Sequence, residues 1–296
     1  GYDRRFTFGL VAAGGTLGIL IPPSLSMILY GALTDVSVGD LFIAGIIPGL
    51  ILTGFFLIYT VIHARKRGYV RTRPAGWRER AGAFRRSAWG LVLPPLVLGG
   101  IYLGWFTPTE AAGVGVVYSL AAALISRRLS ILKLMPVLVS SLRTTAMVLV
   151  IIVGAVLFGH VVTILHVPQR LITFLDELDV APWQFIILVC IIFIFLGDFL
   201  KVVSITIITL PIIFPILLAI GIDPVWFAVI MTINMEFALI TPPVGLNLFV
   251  IKGVVEDASL MEVFQGTLPF MLLMLAVLAP VILFPQLSLW LPFMVR

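Results

Sequence analysis

Long apolar runs dominate the chain, and short polar or charged stretches separate them. A helix needs about 20 consecutive apolar residues to cross a bilayer. Runs of this kind lie at residues 6–30, 41–62, 89–105, 108–126, 136–165, 183–220, 225–251 and 264–291. Runs longer than about 25 residues that contain Pro or Gly are predicted to be broken or re-entrant helices. The pattern predicts an all-α polytopic membrane protein.

The composition supports this class. The 296 residues are 61% hydrophobic and 11% charged, which leaves too little charge to cover a soluble domain of this size. The single cysteine, Cys190, excludes an intrachain disulfide and is interpreted as a small buried apolar residue. The three histidines lack metal-ligand spacing, so no transition-metal site is predicted.

The positive charge is concentrated in one segment. Nine of the 19 Lys and Arg residues lie in "HARKRGYVRTRPAGWRERAGAFRR" at 63–86. A basic run can bind nucleic acid, but membrane segments flank this one directly. The simpler interpretation is a cytoplasmic loop placed by the positive-inside rule, in contact with anionic membrane lipid. We therefore predict a cytoplasmic loop at 63–88.

Two distant parts of the chain share a pattern of sequence features. "GGTLGILIPPS" (14–24) aligns with "NMEFALITPPV" (234–244), and "GALTDVSVGDLF" (31–42) resembles "GVVEDASLMEVF" (253–264). The order of these features predicts an internal duplication. We assign 1–62 to the end of a first repeat and 89–296 to a second repeat with a hairpin and a proline-broken helix. The second repeat is longer, which leads us to expect an N-terminally truncated chain that lacks about 130 residues.

The double prolines lie at the centre of the repeats. Each proline lacks an N–H and clashes with the carbonyl four residues earlier, so the pairs free the carbonyls of Gly18, Ile19, Ala238 and Leu239. In hydrocarbon these carbonyls need a partner from protein, water or an ion. The helix C-terminus before a break suits Na⁺, and the helix N-terminus after it suits a carboxylate.

Polar residues near these breaks are the candidate ligands. The candidate sodium-binding residues are Thr16, Gly18, Pro22, Ser24, Asn234, Ala238, Thr241, Pro242, Gly245 and Asn247. The candidate substrate or hairpin residues are Ser26, Asp198, Ser204, Thr206 and Glu236. An intramembrane carboxylate is functional by default, but Glu236 is equally compatible with a pair to Lys252 or with capping of a backbone group.

Two further segments carry local patterns. Residues 197–215, "GDFLKVVSITIITLPIIFP", predict a second interrupted segment, one arm of a re-entrant hairpin that faces 234–247. "TPTE" at 107–110 predicts a capping box, with Thr107 as N-cap, Pro108 at the first helical position and Glu110 three residues after the cap. The capping box is a structural feature rather than part of an ion site.

Three motifs together resemble a known family. "GLVAAGGTLGILIPPSLSMILYG", "FTPTEAAGVGVVYSL" and "ITPPVGLNLFV" are similar to the large membrane subunit of tripartite ATP-independent periplasmic (TRAP) transporters, with likeness from about residue 4 to 290. The resemblance implies an inverted-repeat, ion-transporter-like fold with discontinuous helices, re-entrant hairpins and an elevator-type transport domain. It also implies a multi-pass protein of the bacterial inner membrane.

The resemblance carries expectations about function. It implies Na⁺-coupled import of organic acids such as dicarboxylates or sugar acids. The partners would be a small four-helix membrane subunit and a periplasmic substrate-binding protein. Sodium sites would lie near 14–24 and 234–247. Family members commonly carry an acidic residue where this chain has Lys201, so the number of sodium ions stays open.

Other classes were weighed against this one. A sodium–anion symporter of related architecture that needs no binding protein is the alternative function. The sequence contains no His-Glu-x-x-His motif and no Ser/His arrangement, so an enzyme is not predicted, and Na⁺ is the only cofactor expected. A purely structural membrane protein would not explain why two helices are broken at positions that suit ion binding.

Overall fold

Helices form all the regular secondary structure in the part of the chain that the structure, a computed structural model, describes: residues 2–69, 73–126, 129–130 and 134–295. Thirteen helices occur there. They are α1 (Arg4–Leu20), α2 (Leu25–Thr34), α3 (Val38–Lys66), α4 (Trp77–Tyr102), α5 (Pro108–Ile125), α6 (Leu134–Ile164), α7 (Val167–Glu177), α8 (Pro182–Gly197), α9 (Val202–Ala219), α10 (Pro224–Ala238), α11 (Leu246–Val254), α12 (Leu260–Leu283) and α13 (Gln286–Val295). The predicted all-α class is confirmed.

Six segments in these ranges are long and apolar enough to cross a membrane, judged by length and composition. They are Arg4–Thr34, Val38–Lys66, Pro108–Ile125, Leu134–Ile164, Val202–Ala219 and Leu260–Leu283. The predicted polytopic membrane protein is therefore confirmed.

Four of the five longest apolar runs are interrupted, as predicted. The run at 6–30 divides into α1 and α2, 183–220 into α8 and α9, 225–251 into α10 and α11, and 264–291 into α12 and α13.

The fifth long run contradicts the expectation. All but the last residue of the run 136–165 lie within the continuous helix α6, because Gly154 and Gly159 keep the backbone N–H that a proline lacks. The predicted interruption within 197–215 is also wrong in detail. The chain turns at 198–201, whereas Pro211 and Pro215 lie inside the continuous helix α9.

The two predicted repeats have the same order of elements, α1–α2–α3 and α10–α11–α12. In each repeat a serine caps the third helix: Ser37 Oγ accepts from the Asp40 N–H at 3.3 Å, and Ser259 Oγ accepts from the Glu262 N–H at 3.1 Å. The same cap at corresponding places supports a duplicated unit.

The chain divides into two compact units, each described by itself. The first comprises Gly1–Val70 and Ala155–Arg296, and the second comprises Arg71–Gly154. In the first unit α10 forms the core: from Val225 to Ala238 all residues except Trp226 are buried.

α1 packs against α12 at Gly9, where a Cβ atom would lie 1.8 Å from the Gly266 carbonyl oxygen. Only glycine permits this approach, which lets α1 and α12 pack closely.

An exposed ion pair lies at the start of α1. Arg4 Nη1 donates to Asp257 Oδ2 at 2.8 Å, and this hydrogen bond holds the pKa of Asp257 below its usual value. Asp257 belongs to the loop between α11 and α12, so the pair joins the start of α1 to this loop at the surface.

In the second unit α4 and α5 form an antiparallel helical hairpin. A Cβ atom at Gly115 would lie 3.4 Å from Val97 Cγ2, so the two helices pack closely at that level. The predicted capping box is confirmed: the Thr107 N–H donates to Glu110 Oε2 at 2.8 Å, and the Glu110 N–H donates to Thr107 Oγ1 at 3.3 Å. It fixes the point at which the chain enters α5.

We expect Glu110→Ala to lower the melting temperature by about 2–3 °C, because the N–H and the hydroxyl group of the N-cap residue Thr107 lose the carboxylate that they bind. Thermal unfolding of the purified protein in detergent measures this effect. Glu256→Ala removes the same charge from an exposed turn and is the matched control. The half-saturating concentration of any transported ion should stay the same in Glu110→Ala; a shift would contradict the purely structural role.

Candidate functional site

The first proline pair ends one helix and begins another. α1 stops at Leu20, and Ser24 is the N-cap of α2. The Ser24 hydroxyl donates to the Ile19 carbonyl oxygen and lies 3.0 Å from the Ser26 hydroxyl. The protein itself therefore satisfies the carbonyl that Pro23 frees.

The second pair separates α10 from α11 in a similar way. The Leu239 carbonyl accepts from the Asn247 N–H at 3.1 Å, and the Ala238 carbonyl accepts from the Thr241 N–H at 3.4 Å. The Gly245 N–H donates to the Thr241 carbonyl at 2.9 Å as α11 begins. At both breaks the chain folds back tightly enough for its own polar groups to reach the freed carbonyls. Groups of the protein itself are therefore the main hydrogen-bond donors to these carbonyls.

The two breaks lie against each other. Asn247 Nδ2, just past the second break, donates to the Ala12 carbonyl of α1 at 2.9 Å. α10 also packs against α1, and the Glu236 carboxyl group comes near the backbone of Leu20, the last residue of α1, without forming a hydrogen bond of normal geometry. Residues about 220 positions apart in the chain therefore form one polar junction.

The tip of the α8–α9 hairpin contacts the second break. The Val244 N–H donates to the Asp198 carbonyl at 3.1 Å. A Cβ atom at Gly197 would lie 2.1 Å from the Ala238 Cβ, so the two helix ends touch without a side chain between them. The expectation that this hairpin faces 234–247 agrees with these contacts.

A cavity of about 150 Å³ lies between the first break and the start of α9. Its lining is Gly18, Ile19, Leu25, Ser26, Leu29, Val202, Val203 and Thr206. Leu25 and Ser26 form the first turn of α2, and Val202 and Val203 form the first turn of α9. Two helix N-termini and the C-terminal end of α1 therefore meet at this cavity.

The threonines among the candidate ligands donate their hydroxyl hydrogens to nearby backbone carbonyls. Thr16 Oγ1 donates to the Ala13 carbonyl at 2.8 Å and Thr206 Oγ1 to the Val202 carbonyl at 2.9 Å, each within its own helix. Thr241, which follows α10, donates to the Phe237 carbonyl at 2.8 Å. A hydroxyl that donates its hydrogen keeps its lone pairs as acceptors, so each oxygen remains a suitable cation ligand. Ser204 is half-buried on α9 and does not line the cavity.

Several buried oxygen atoms in this region have no hydrogen-bond donor among the described residues. They are Asp198 Oδ1, Asn234 Oδ1 and both carboxyl oxygens of Glu236. Asn234 and Glu236 are completely buried. The Asn234 amide nitrogen already donates to the Ile230 carbonyl at 2.9 Å and to Cys190 Sγ at 3.3 Å. All four oxygens are acceptors, which is the arrangement that a bound cation or proton satisfies.

The alternative role of Glu236 as a partner of Lys252 is not observed. In the described ranges the ion pairs join Arg4 to Asp257 and to Glu262. Lys252 is exposed in the last turn of α11, whereas the Glu236 carboxyl group is completely buried on α10 and has no hydrogen-bond partner among the described residues.

Some residues of the junction were not identified from the sequence. Ala12 contributes only a carbonyl, and Gly197 contributes the absence of a side chain, so neither has a polar signal to detect. Cys190 is buried as predicted and also contacts the Asn234 amide. For Gly197 the available signal was a glycine before an aspartate at the end of an apolar run.

Broken helices that meet in the buried core of one unit, beside a helical hairpin, are typical of a secondary-transport protein rather than an enzyme. The comparison with known proteins gives the family. The model described as "Tripartite ATP-independent periplasmic transporter, DctM component" matches residues 1–287. The chain belongs to this family, and it is a multi-pass protein of the bacterial inner membrane.

Characterised relatives align over nearly the whole chain. The C4-dicarboxylate TRAP transporter large permease protein DctM of Pseudomonas aeruginosa is 43% identical over 293 residues, which cover 99% of this chain and 68% of that protein. The Isethionate TRAP transporter permease protein DctMQ of Oleidesulfovibrio alaskensis is 37% identical, covering 94% and 44%. The Sialic acid TRAP transporter large permease protein SiaM of Vibrio cholerae is 33% identical, covering 98% and 68%.

Proposed function

We propose that this chain is the large permease subunit of a Na⁺-coupled, binding-protein-dependent transporter that imports small organic acids. Its partners are a small four-helix membrane subunit and a periplasmic substrate-binding protein. The observation that carries the sodium part is the group of buried acceptor oxygens on α10 and at the α8–α9 turn, none of which has a described donor. Transport proceeds by an elevator-type movement of the domain that holds the broken helices and the hairpin.

Sodium suits these oxygens because it is a hard cation that binds carbonyl, hydroxyl and carboxylate oxygen. Within the described residues no cluster of three or more His, Cys, Asp or Glu side chains is placed to hold another metal. The ligands that we propose lie in two groups. Gly18, Thr16 and Ser24 are at the first break, while Asn234, Thr241 and Asn247 are at the second, with Ala238 and Gly245 beside them. The unpartnered carboxyl oxygens of Glu236 on α10 and of Asp198 at the α8–α9 turn belong to the second group.

The cavity beside the first break is the proposed substrate position. The first turns of α2 and α9 both contribute to its lining, so backbone N–H groups and the positive ends of two helix dipoles favour an anion there. Ser26 and Thr206 add hydroxyl groups. The relatives named above carry a C4-dicarboxylate, isethionate or sialic acid, each of which has an acidic group. An organic anion is therefore the proposed substrate class.

Uptake into proteoliposomes tests the proposal. The chain is reconstituted with its small subunit, and uptake of radiolabelled C4-dicarboxylate, isethionate and sialic acid is measured with the cognate binding protein. We expect uptake that requires both an inward sodium gradient and the binding protein. Equal uptake in potassium would exclude sodium coupling. Uptake without the binding protein would favour the alternative, a binding-protein-independent sodium–anion symporter.

Asn247→Ala should raise the sodium concentration for half-maximal uptake by about tenfold, because the amide that joins α11 to Ala12 of α1 is lost. Thr241→Val should act in the same direction by removing one oxygen ligand. Thr53→Val is the matched control, since Thr53 Oγ1 also donates to the carbonyl four residues earlier, that of Gly49, at 2.8 Å, but belongs to α3. Loss of expression in step with loss of sodium activation would show that both residues are structural.

A further inference from the structure

A second cleft lies in the unit formed by residues 71–154, on the side of the α4–α5 hairpin where α4 begins and α5 ends. It encloses about 820 Å³ and is lined by Arg85, Arg86, Ser87, Trp89, Gly90, Ala122, Ala123 and Ser126. From this cleft we propose that the α4–α5 hairpin holds the headgroup of one anionic phospholipid, with Arg85 and Arg86 binding its phosphate. None of the residues that line this cleft belongs to the transport site proposed above.

The level of the cleft on the two helices matches a membrane interface. α4 carries four arginines and one glutamate between Trp77 and Arg86 and has no charged residue from Ser87 to Tyr102. α5 has no charged residue after Glu110 and ends at Ile125. The cleft therefore lies where both antiparallel helices change from apolar to polar, and lipid phosphates lie at this boundary.

The aromatic residues agree with this level. Trp89 lines the cleft and is 44% exposed, and its ring centroid is 6.2 Å from that of Tyr118 on α5. The Tyr118 hydroxyl donates to the Trp89 carbonyl at 2.9 Å, which fixes the two helices at this point. Trp and Tyr concentrate at the headgroup level because one part of each ring is apolar and the other is polar.

The charge and the space in the cleft both fit a phosphate. Arg85 and Arg86 are exposed, and neither forms an ion pair with a residue in the described ranges. Guanidinium groups bind phosphate through two parallel hydrogen bonds, and Ser87 and Ser126 add hydroxyl donors. The floor consists of small residues: nothing lies within 4 Å of a Cβ placed on Gly90. The helices touch at Gly115 and leave room at Gly90, so a glycerophosphate group fits between them.

The test is a titration of phosphatidylglycerol into the delipidated full complex, followed by native mass spectrometry. Phosphatidylethanolamine and inorganic phosphate are the comparison ligands. We expect one phosphatidylglycerol to bind and to be retained in preference to phosphatidylethanolamine. In Arg85→Gln/Arg86→Gln the apparent dissociation constant should rise about thirtyfold, since each basic residue near an anionic headgroup contributes about a factor of five.

Two matched controls distinguish specific binding of the lipid in the cleft from non-specific attraction of the lipid to positive charge. Arg78→Gln/Arg80→Gln removes the same charge from the same helix outside the cleft and should leave binding unchanged; Arg80 instead lies 5.3 Å from the Trp77 ring. Gly90→Leu should block binding without a change in charge, whereas Gly99→Leu, which also has nothing within 4 Å of its Cβ, should not.

Three outcomes would overturn the proposal. Equal weakening in both arginine double variants would show that diffuse charge attracts the lipid. Equal retention of phosphatidylethanolamine would remove the role of the anionic headgroup. Displacement of the lipid by inorganic phosphate, with the same dependence on Arg85 and Arg86, would assign the cleft to a soluble phosphate compound. Because all four arginines are exposed, the variants should fold normally.

Discussion

Gly197→Ala should reduce uptake by more than about tenfold, although it adds only one methyl group. The new Cβ would lie 2.1 Å from the Ala238 Cβ, a distance that forces the α8–α9 turn away from the second helix break. Overpacking of this kind costs about 1–3 kcal/mol and shifts the backbone. The shift would break the hydrogen bond from the Val244 N–H to the Asp198 carbonyl and would separate the hairpin from the ion-binding region.

A compensating variant makes this prediction specific. Ala238→Gly removes the Cβ that the new methyl group would meet, so Gly197→Ala/Ala238→Gly should recover most of the uptake lost in Gly197→Ala. Ala238→Gly alone should be close to the wild type, because the residue ends α10 rather than lying in its interior. Gly54→Ala on α3 has nothing within 4 Å of its Cβ and is the control for helical glycine. Additive losses in the double variant would show that the two residues act independently.

Glu236→Leu should abolish sodium-dependent uptake while the protein keeps or gains thermal stability. The carboxyl group is completely buried, and its two oxygens have no donor of normal hydrogen-bond geometry among the described residues. Burial of a polar group without a partner costs about 2–7 kcal/mol. A group that destabilises the protein in the absence of an ion is retained for binding, so its replacement by an apolar side chain of similar size removes both the cost and the function.

The two readouts must be measured on the same preparation. Melting temperature in sodium-free detergent reports the stability, and proteoliposome uptake reports the function. Sodium should raise the melting temperature of the wild type more than that of Glu236→Leu, because a ligand stabilises only the protein that binds it. Glu262→Gln, which changes a carboxylate in the first turn of α12, is the control. A large drop in the melting temperature of Glu236→Leu would falsify the functional role and would indicate a structural one.

Much of the fold follows from local chemistry that the sequence displays. The apolar runs predict the membrane helices, and Thr107 with Glu110 predicts the start of α5, because capping involves residues three positions apart. The duplicated pattern around the proline pairs predicts two equivalent broken helices, which the structure contains as α1–α2 and α10–α11. These features depend on neighbours in the chain, so they require no knowledge of the packing.

Contacts between distant residues could not be predicted in this way. The hydrogen bond from Asn247 to Ala12 and the close contact of Gly197 with Ala238 join residues that are far apart in the chain. The local sequence around one partner does not indicate the other. The sequence left the partner of each freed carbonyl open among protein, water and an ion, and in the structure the Ser24 hydroxyl and the Asn247 N–H bind two of them. The acceptors without a donor are instead side-chain oxygens. They can be identified only from the folded structure, which shows that they are buried and that no donor reaches them.

The proline pairs show most clearly what each level determines. The sequence contains three such pairs, at 22–23, 94–95 and 242–243, and it determined that each removes two backbone donors from an apolar segment. The tertiary structure decided the consequence. The first and third pairs end a helix, with Ser24 and Gly245 at the start of the next one, whereas Pro94 and Pro95 lie inside the continuous helix α4. A break persists where hydroxyl and amide groups from the folded-back chain reach the freed carbonyls, and that arrangement exists only once the helices have packed.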